Sequence, residues 1–156
     1  MSDLDVSVSE FAKAAESIHA VMPPTPQYNW PLLSARAGAE VWVKHENQTP
    51  TGAFKVRGGV IYVDELLKRE PNCLGVIAAT RGNHGQSVAC AATRGGLRST
   101  VVVPHGNSVE KNAAMRAQWA KLVERGADFQ EAFEFTPELA VERKLHMIAS
   151  FDPVLV

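Results

Sequence analysis

Cysteine is scarce, with two in 156 residues, and Cys73 and Cys90 stand beside apolar residues without metal-ligand spacing. A disulfide framework is set aside, and both are expected to be reduced, structural thiols. No histidine pairs with another at i,i+4, so no metal site is expected. Neither sign of charge predominates: 16 Lys and Arg against 17 Asp and Glu leave a net charge of −1. Without a basic block, neither nucleic acid nor an anionic membrane surface is an expected partner. Apolar strings such as Leu74-Gly-Val-Ile-Ala-Ala79 and Val101-Val-Val103 fall far short of the ~20 residues that span a bilayer. Met1-Ser-Asp-Leu-Asp5 is acidic where a secretory leader would be basic, and a cytoplasmic location is expected. Aromatic residues make up only 7%, and Trp30, Trp42 and Trp119 have no spacing that would build a stacking platform. The Gly-x-Ser-x-Gly elbow of serine hydrolases is missing. So are the dinucleotide and Walker phosphate loops.

What is present suits a globular α/β chain. Hydrophobic residues make up 46%, and a chain of this length buries roughly 68–70% of its unfolded surface. Ser7 and Glu10 have capping-box spacing ahead of Phe11, Ala14, Ala15 and Ile18, which predicts a helix over 8–21, stopped by Pro23, Pro24 and Pro26. Residues 27–39 read as a turn-rich connection, and 40–45 alternate like a strand. A helix is expected from Lys55 to about Leu67. Strands at 74–79, 100–103, 121–124 and 146–149 then alternate with helices at 84–93, 109–117 and 130–144. That alternation predicts an open parallel sheet covered by helices on both faces.

Two turns carry chemistry. The first is Thr49-Pro-Thr-Gly-Ala-Phe-Lys-Val-Arg-Gly58. A lysine used as a covalent nucleophile must be partly desolvated and rigidly held, and Phe54 with its small neighbours could do both for Lys55. Gly52, Gly58 and Gly59 would let a flat ring approach the backbone. Alone, Lys55 reads as an ordinary surface lysine at a helix start; its flanks change that reading. The second is Thr80-Arg-Gly-Asn-His-Gly-Gln86, between a strand and a helix at the carboxyl edge of the sheet, where open α/β folds bind ligands. A helix N-terminus there suits a carboxylate. Asn83 can donate to and accept from a ring oxygen. The bland alternative is a well-capped loop with a structural Asn.

These motifs, with the later run Val103-Pro-His-Gly-Asn-Ser-Val-Glu-Lys-Asn-Ala-Ala-Met-Arg-Ala117, resemble the threonine/serine dehydratase branch of the fold-type II pyridoxal-phosphate enzymes, the tryptophan synthase β-like group. The likeness extends from about residue 10 to the end. It implies that Lys55 is the catalytic lysine carrying pyridoxal 5'-phosphate, with Phe54 beside it and Asn83 at the cofactor's ring hydroxyl. Thr80, Arg81, Gly82, Asn83 and His84 would hold the substrate carboxylate. The implied reaction is β-elimination from a small hydroxy-amino acid, giving a keto acid and ammonia, in a protein that could be a homo-oligomer. The implied organisation is residues 1–50 as a piece of the large domain, 51–150 as the small α/β domain, and 151–156 as the start of the large domain's remainder.

Four departures stand out. Arg81 occupies the place of a serine that related racemases use on the opposite face. Trp119 replaces a helix-ending glycine, so a left-handed cap is lost or rebuilt. Pro137 interrupts a helix, with Thr136 expected to cap a restart. The chain stops before the glycine-rich loop that grips the cofactor phosphate, so alone it is expected to be inactive. A non-catalytic remnant or interaction module therefore stands as the alternative.

Overall fold

The computed structural model describes residues 7–152; the acidic Met1-Ser-Asp-Leu-Asp5 stretch and the closing Pro153-Val-Leu-Val156 lie outside the described residues. There are two compact units, one ending at Phe54 and one beginning at Lys55.

In the first unit, helix α1 (Val8–His19) starts on the capping box read from the sequence. The Glu10 N–H donates to Ser7 Oγ at 3.3 Å, and the Ser7 N–H to Glu10 Oε2 at 2.8 Å, which satisfies two backbone donors that the helix itself cannot. Residues 27–39, expected as a connection, are instead ordered into elements. Strand β1 (Gln27–Asn29) pairs antiparallel with β2 (Trp42–Lys44), and helix α2 (Pro31–Ala37) lies between them. Helix α2 buries no residue and has no side-chain N-cap, so apolar periodicity could not announce it. Pro31 in its first turn and Gly38 just past its end, at φ +65, were the available cue. A 3-10 turn, Glu46–Gln48, precedes Gly52, whose φ of +66 shapes the turn before Phe54.

The second unit alternates helix and strand: α3 (Val56–Arg69), β3 (Gly75–Ala79), α4 (Asn83–Arg94), β4 (Arg98–Val103), α5 (Val109–Ala117), β5 (Lys121–Glu124), α6 (Phe129–Arg143) and β6 (His146–Met147). The strands form one parallel sheet in the order β5-β4-β3-β6. β3 is buried throughout and β4 everywhere but Arg98, as uninterrupted apolar strands covered on both faces must be. On one face Ile77 and Val102 pack with Ala132, Leu139 and Ala140 of α6. On the other, Val101 and Val103 pack with Ala89 of α4 and Met115 of α5. The chain steps outward from β3 to β4 to β5, then returns through α6 to β6 on the far side of β3. The winding therefore reverses at β3, and a crevice is expected beyond the carboxyl ends of β3 and β6, at the switch point where such sheets bind ligands.

At Trp119 the left-handed cap is rebuilt without glycine. The residue has φ +66, its N–H donates to Arg116 O at 2.9 Å, and the Ala120 N–H donates to Met115 O at 3.2 Å. These are the two bonds of a Schellman motif, closed by the apolar contact of Met115 with Ala120. A side chain in that region costs about 1–2 kcal/mol, and the indole is 80% exposed, so packing offsets little of it. Trp119→Gly is expected to stabilise the chain by about 1 kcal/mol after glycine's own entropic penalty. In a calorimetric scan this is a rise in Tm of roughly 2–4 °C.

Pro137 does not divide its helix, which corrects the expectation that Thr136 caps a restart. α6 is continuous from Phe129 to Arg143, and Thr136, fully buried, donates its hydroxyl to Ala132 O at 2.7 Å. That back-bond to the preceding turn accompanies helix bending. Burial of Ala132, Leu139 and Ala140 on the sheet outweighs the ~3 kcal/mol an interior proline costs.

Candidate active site

Lys55 stands at the head of α3 in helical conformation, φ −57 and ψ −23, and is half-buried. Its carbonyl accepts two hydrogen bonds, from the Gly59 N–H at 3.1 Å and from Ser87 Oγ at 2.6 Å. Ser87, almost fully buried on the second turn of α4, thus pins the backbone from which the lysine side chain projects. The Lys55 ammonium lies 5.9 Å from the centroid of the exposed Phe151 ring. Phe54, expected to help shield the lysine, is itself 62% exposed.

Gly59 has a different role from the one its sequence context suggests. A Cβ there would stand 2.2 Å from Ser87 Oγ and 3.1 Å from Ser87 O, so the missing side chain makes room for α4 rather than for a flat ring. Gly59→Ala is expected to destabilise the chain by about 1–3 kcal/mol, because the serine hydroxyl must leave its bond to Lys55 O. Ser87→Ala loses the same bond, so urea unfolding of the double variant is expected to show less than the sum of the two single losses.

The loop leaving β3 is built to keep a helix end open. The Thr80 N–H donates to Val102 O at 3.0 Å, continuing the ladder, while Thr80 Oγ1 accepts from the Gly82 N–H at 3.0 Å. Helix α4 has no side-chain cap. Its first intrahelical bond runs from the Gln86 N–H to Gly82 O at 3.1 Å, so the N–H groups of Asn83, His84 and Gly85 come before any intrahelical partner. Those donors and the helix dipole make a favourable seat for an anion. Arg81 and Asn83 are exposed, and Gly82 and His84 are buried. A Cβ on Gly82 would sit 3.0 Å from Lys111 Cδ, which places the lysine stem over the loop. Within the third motif, Asn107 Nδ2 donates to Asn112 Oδ1 at 2.6 Å.

His84 is tied down by Nε2, which lies 3.2 Å from Ile148 O, just past β6. The bond joins the start of α4 to the strand across the switch point. Burial holds the imidazole below its ordinary pKa and the nearby Lys55 charge lowers it further, while the bond to Ile148 works the other way. A neutral ring then donates Nε2–H to the carbonyl. Below about pH 6.5 the unfolded histidine takes up a proton that the folded one refuses, so stability falls as pH drops from there toward the lower folded value. Urea midpoints at pH 7.5 and 5.0 are expected to show that loss, and His84→Gln to reduce it.

Sequence motifs located Lys55 and the 80–84 loop. Ser87, Ile148 and Lys111 were missed as supports, because their partners lie far off in sequence. The small Gly59 and Ser87, on helices that prove to be packed together, were the only hint.

The sequence model of the pyridoxal-phosphate dependent enzyme family matches residues 19–156. The chain is 32% identical over 149 residues to L-threonine dehydratase biosynthetic IlvA of Haemophilus influenzae, covering 96% of this chain and 29% of that protein. It is 32% identical over 152 residues to L-threonine dehydratase catabolic TdcB of Staphylococcus aureus, covering 97% and 44%. Among solved structures, a pyridoxal 5'-phosphate-dependent aspartate racemase superposes with a TM-score of 0.89 at 31% identity, over 99% of this chain and 48% of that one. Threonine deaminase isoform 2 of Solanum lycopersicum superposes with 0.79 at 30% identity, over 96% and 45%. The chain spans less than half the length of each of these relatives.

Proposed function

The chain belongs to the pyridoxal-phosphate dependent enzyme family, and from that premise we propose that it supplies the lysine-bearing part of a threonine/serine ammonia-lyase. Residues 51–150 would form the small domain and 1–50 a piece of the large one. The observation that carries the reading is the pairing of Lys55 with α4: Ser87 of that helix holds the Lys55 carbonyl, and the helix start is uncapped.

These residues fit pyridoxal phosphate. Lys55 would hold it covalently, Asn83 would meet its ring oxygen, and Phe54 would lie beside it. When bound, the group supplies an electron sink for the substrate's α-carbon. The protein's share is positional. The N–H groups at the start of α4 would take the α-carboxylate, Thr80 Oγ1 keeps Gly82 in place, and His84 Nε2 ties the start of the helix to Ile148 O. Once the substrate amine has displaced it from the cofactor, Lys55 Nζ would accept the α-proton and hand it to the departing β-hydroxyl, which leaves as water; hydrolysis of the released enamine by water would then give the keto acid and ammonia.

The likeness to an aspartate racemase favours racemisation as a second reading. Arg81 weighs against it, since a guanidinium does not give up its proton at working pH. Keto-acid release from L-threonine and L-serine by an enzyme that contains this chain tests the proposal. Steady release supports it; no release with cofactor bound would overturn it.

A further inference from the structure

We propose that the amino-terminal edge of the sheet carries a second binding site, for a small organic anion bearing a flat aromatic ring. A cavity of about 590 Å³ opens there, where β4 and β5 begin. Arg98 lies level with Gly75 across the β3–β4 ladder, five residues and roughly 16 Å of strand before Thr80. The cavity is thus at the opposite end of the sheet from the Lys55 site.

Arg98, Lys121 and Arg143 give it a cationic wall. Neighbouring arginines are spoken for: Arg94 pairs with Asp64 at 2.6 Å and Arg116 with Glu124 at 3.9 Å. Among the described residues, no carboxylate lies within ion-pair distance of the three that line the cavity. Arg143 ends α6, where a cation answers the negative end of the helix dipole. Arg98 and Lys121 begin strands and have no such dipole to answer. The Arg98 Nε makes a long bond to Leu74 O, 3.4 Å, and its remaining donors are available.

The apolar wall is Trp119 with Leu97 and Leu145. Trp119 holds a left-handed backbone and yet presents its indole to solvent, an arrangement that folding alone disfavours. Neighbouring positive charges without counter-ions and a strained exposed ring are each unfavourable alone. One ligand answers both. Its anionic group sits among Arg98, Lys121 and Arg143, and its ring lies on Trp119.

Isothermal calorimetry on the 156-residue chain, with phenyl phosphate, phenylacetate, inorganic phosphate and benzyl alcohol as probes, tests this. At least one ring-bearing anion is expected to bind saturably and at least tenfold more tightly than either inorganic phosphate or benzyl alcohol; the two anions together distinguish a phosphate ligand from a carboxylate. Lys121→Ala with Arg143→Ala is expected to weaken that anion at least tenfold. Trp119→Gly, which keeps the fold, is expected to bring it down to the level of a ringless anion, and in the parent chain the Trp119 indole resonance is expected to shift as the ring-bearing anion is added. Heats that do not saturate, or affinities unmoved by either set of substitutions, would overturn the site.

Discussion

Lys55→Ala in an enzyme that contains this chain is expected to lower keto-acid release from L-threonine by at least about 1,000-fold. Positioned general bases alone contribute on the order of 10²–10⁴, and this residue is also assigned the covalent hold on the cofactor. Lys55→Arg is expected to be equally inactive, because it keeps the charge but cannot supply an unprotonated nitrogen. Neither change disturbs the local fold, since the contacts from Gly59 and Ser87 are to the Lys55 carbonyl, not its side chain. Initial rates from L-threonine, beside circular dichroism of the same samples, check this. A folded Lys55→Ala protein within tenfold of the parent rate would remove the lysine from the mechanism.

With L-serine, pyruvate is expected to form at least about tenfold faster than D-serine. Racemisation needs a group on the second face that both gives and takes a proton, and the Arg81 side chain cannot take one. Arg81 is exposed and adjoins the uncapped, positive end of α4, where a cation costs about 0.3–1 kcal/mol. Arg81→Ser is therefore expected to raise the D-serine share of product without loss of stability. Chiral chromatography of the products decides it. Parent protein making D-serine faster than pyruvate would favour the racemase reading instead.

How much of this was legible in the sequence depended on the distance over which each feature is determined. The buried strands β3 and β4 were legible because a covered parallel sheet demands unbroken apolar runs, and α1 because Ser7 and Glu10 signal its start within four residues. β1 and α2 were missed: a three-residue strand has too few positions to show alternation, and α2 buries nothing. Pro137 misled in the other direction, since its local cost is overridden by packing of α6 on the sheet, which only the tertiary structure reveals. At the site, the Lys55 and Thr80–His84 motifs are contiguous and could be read directly. The bonds that hold them, Ser87 to Lys55 and His84 to Ile148, span 32 and 64 residues, and no local pattern encodes such pairs.

The central claim is that Lys55 is the lysine that takes the cofactor. Incubation of the protein with pyridoxal phosphate, reduction with borohydride and mass-spectrometric mapping test it without depending on turnover. The predicted result is one predominant modified peptide, containing Lys55 and absent from the Lys55→Ala variant. Label spread evenly over surface lysines such as Lys13, Lys68 and Lys144, with Lys55 no more modified than they are, would contradict it.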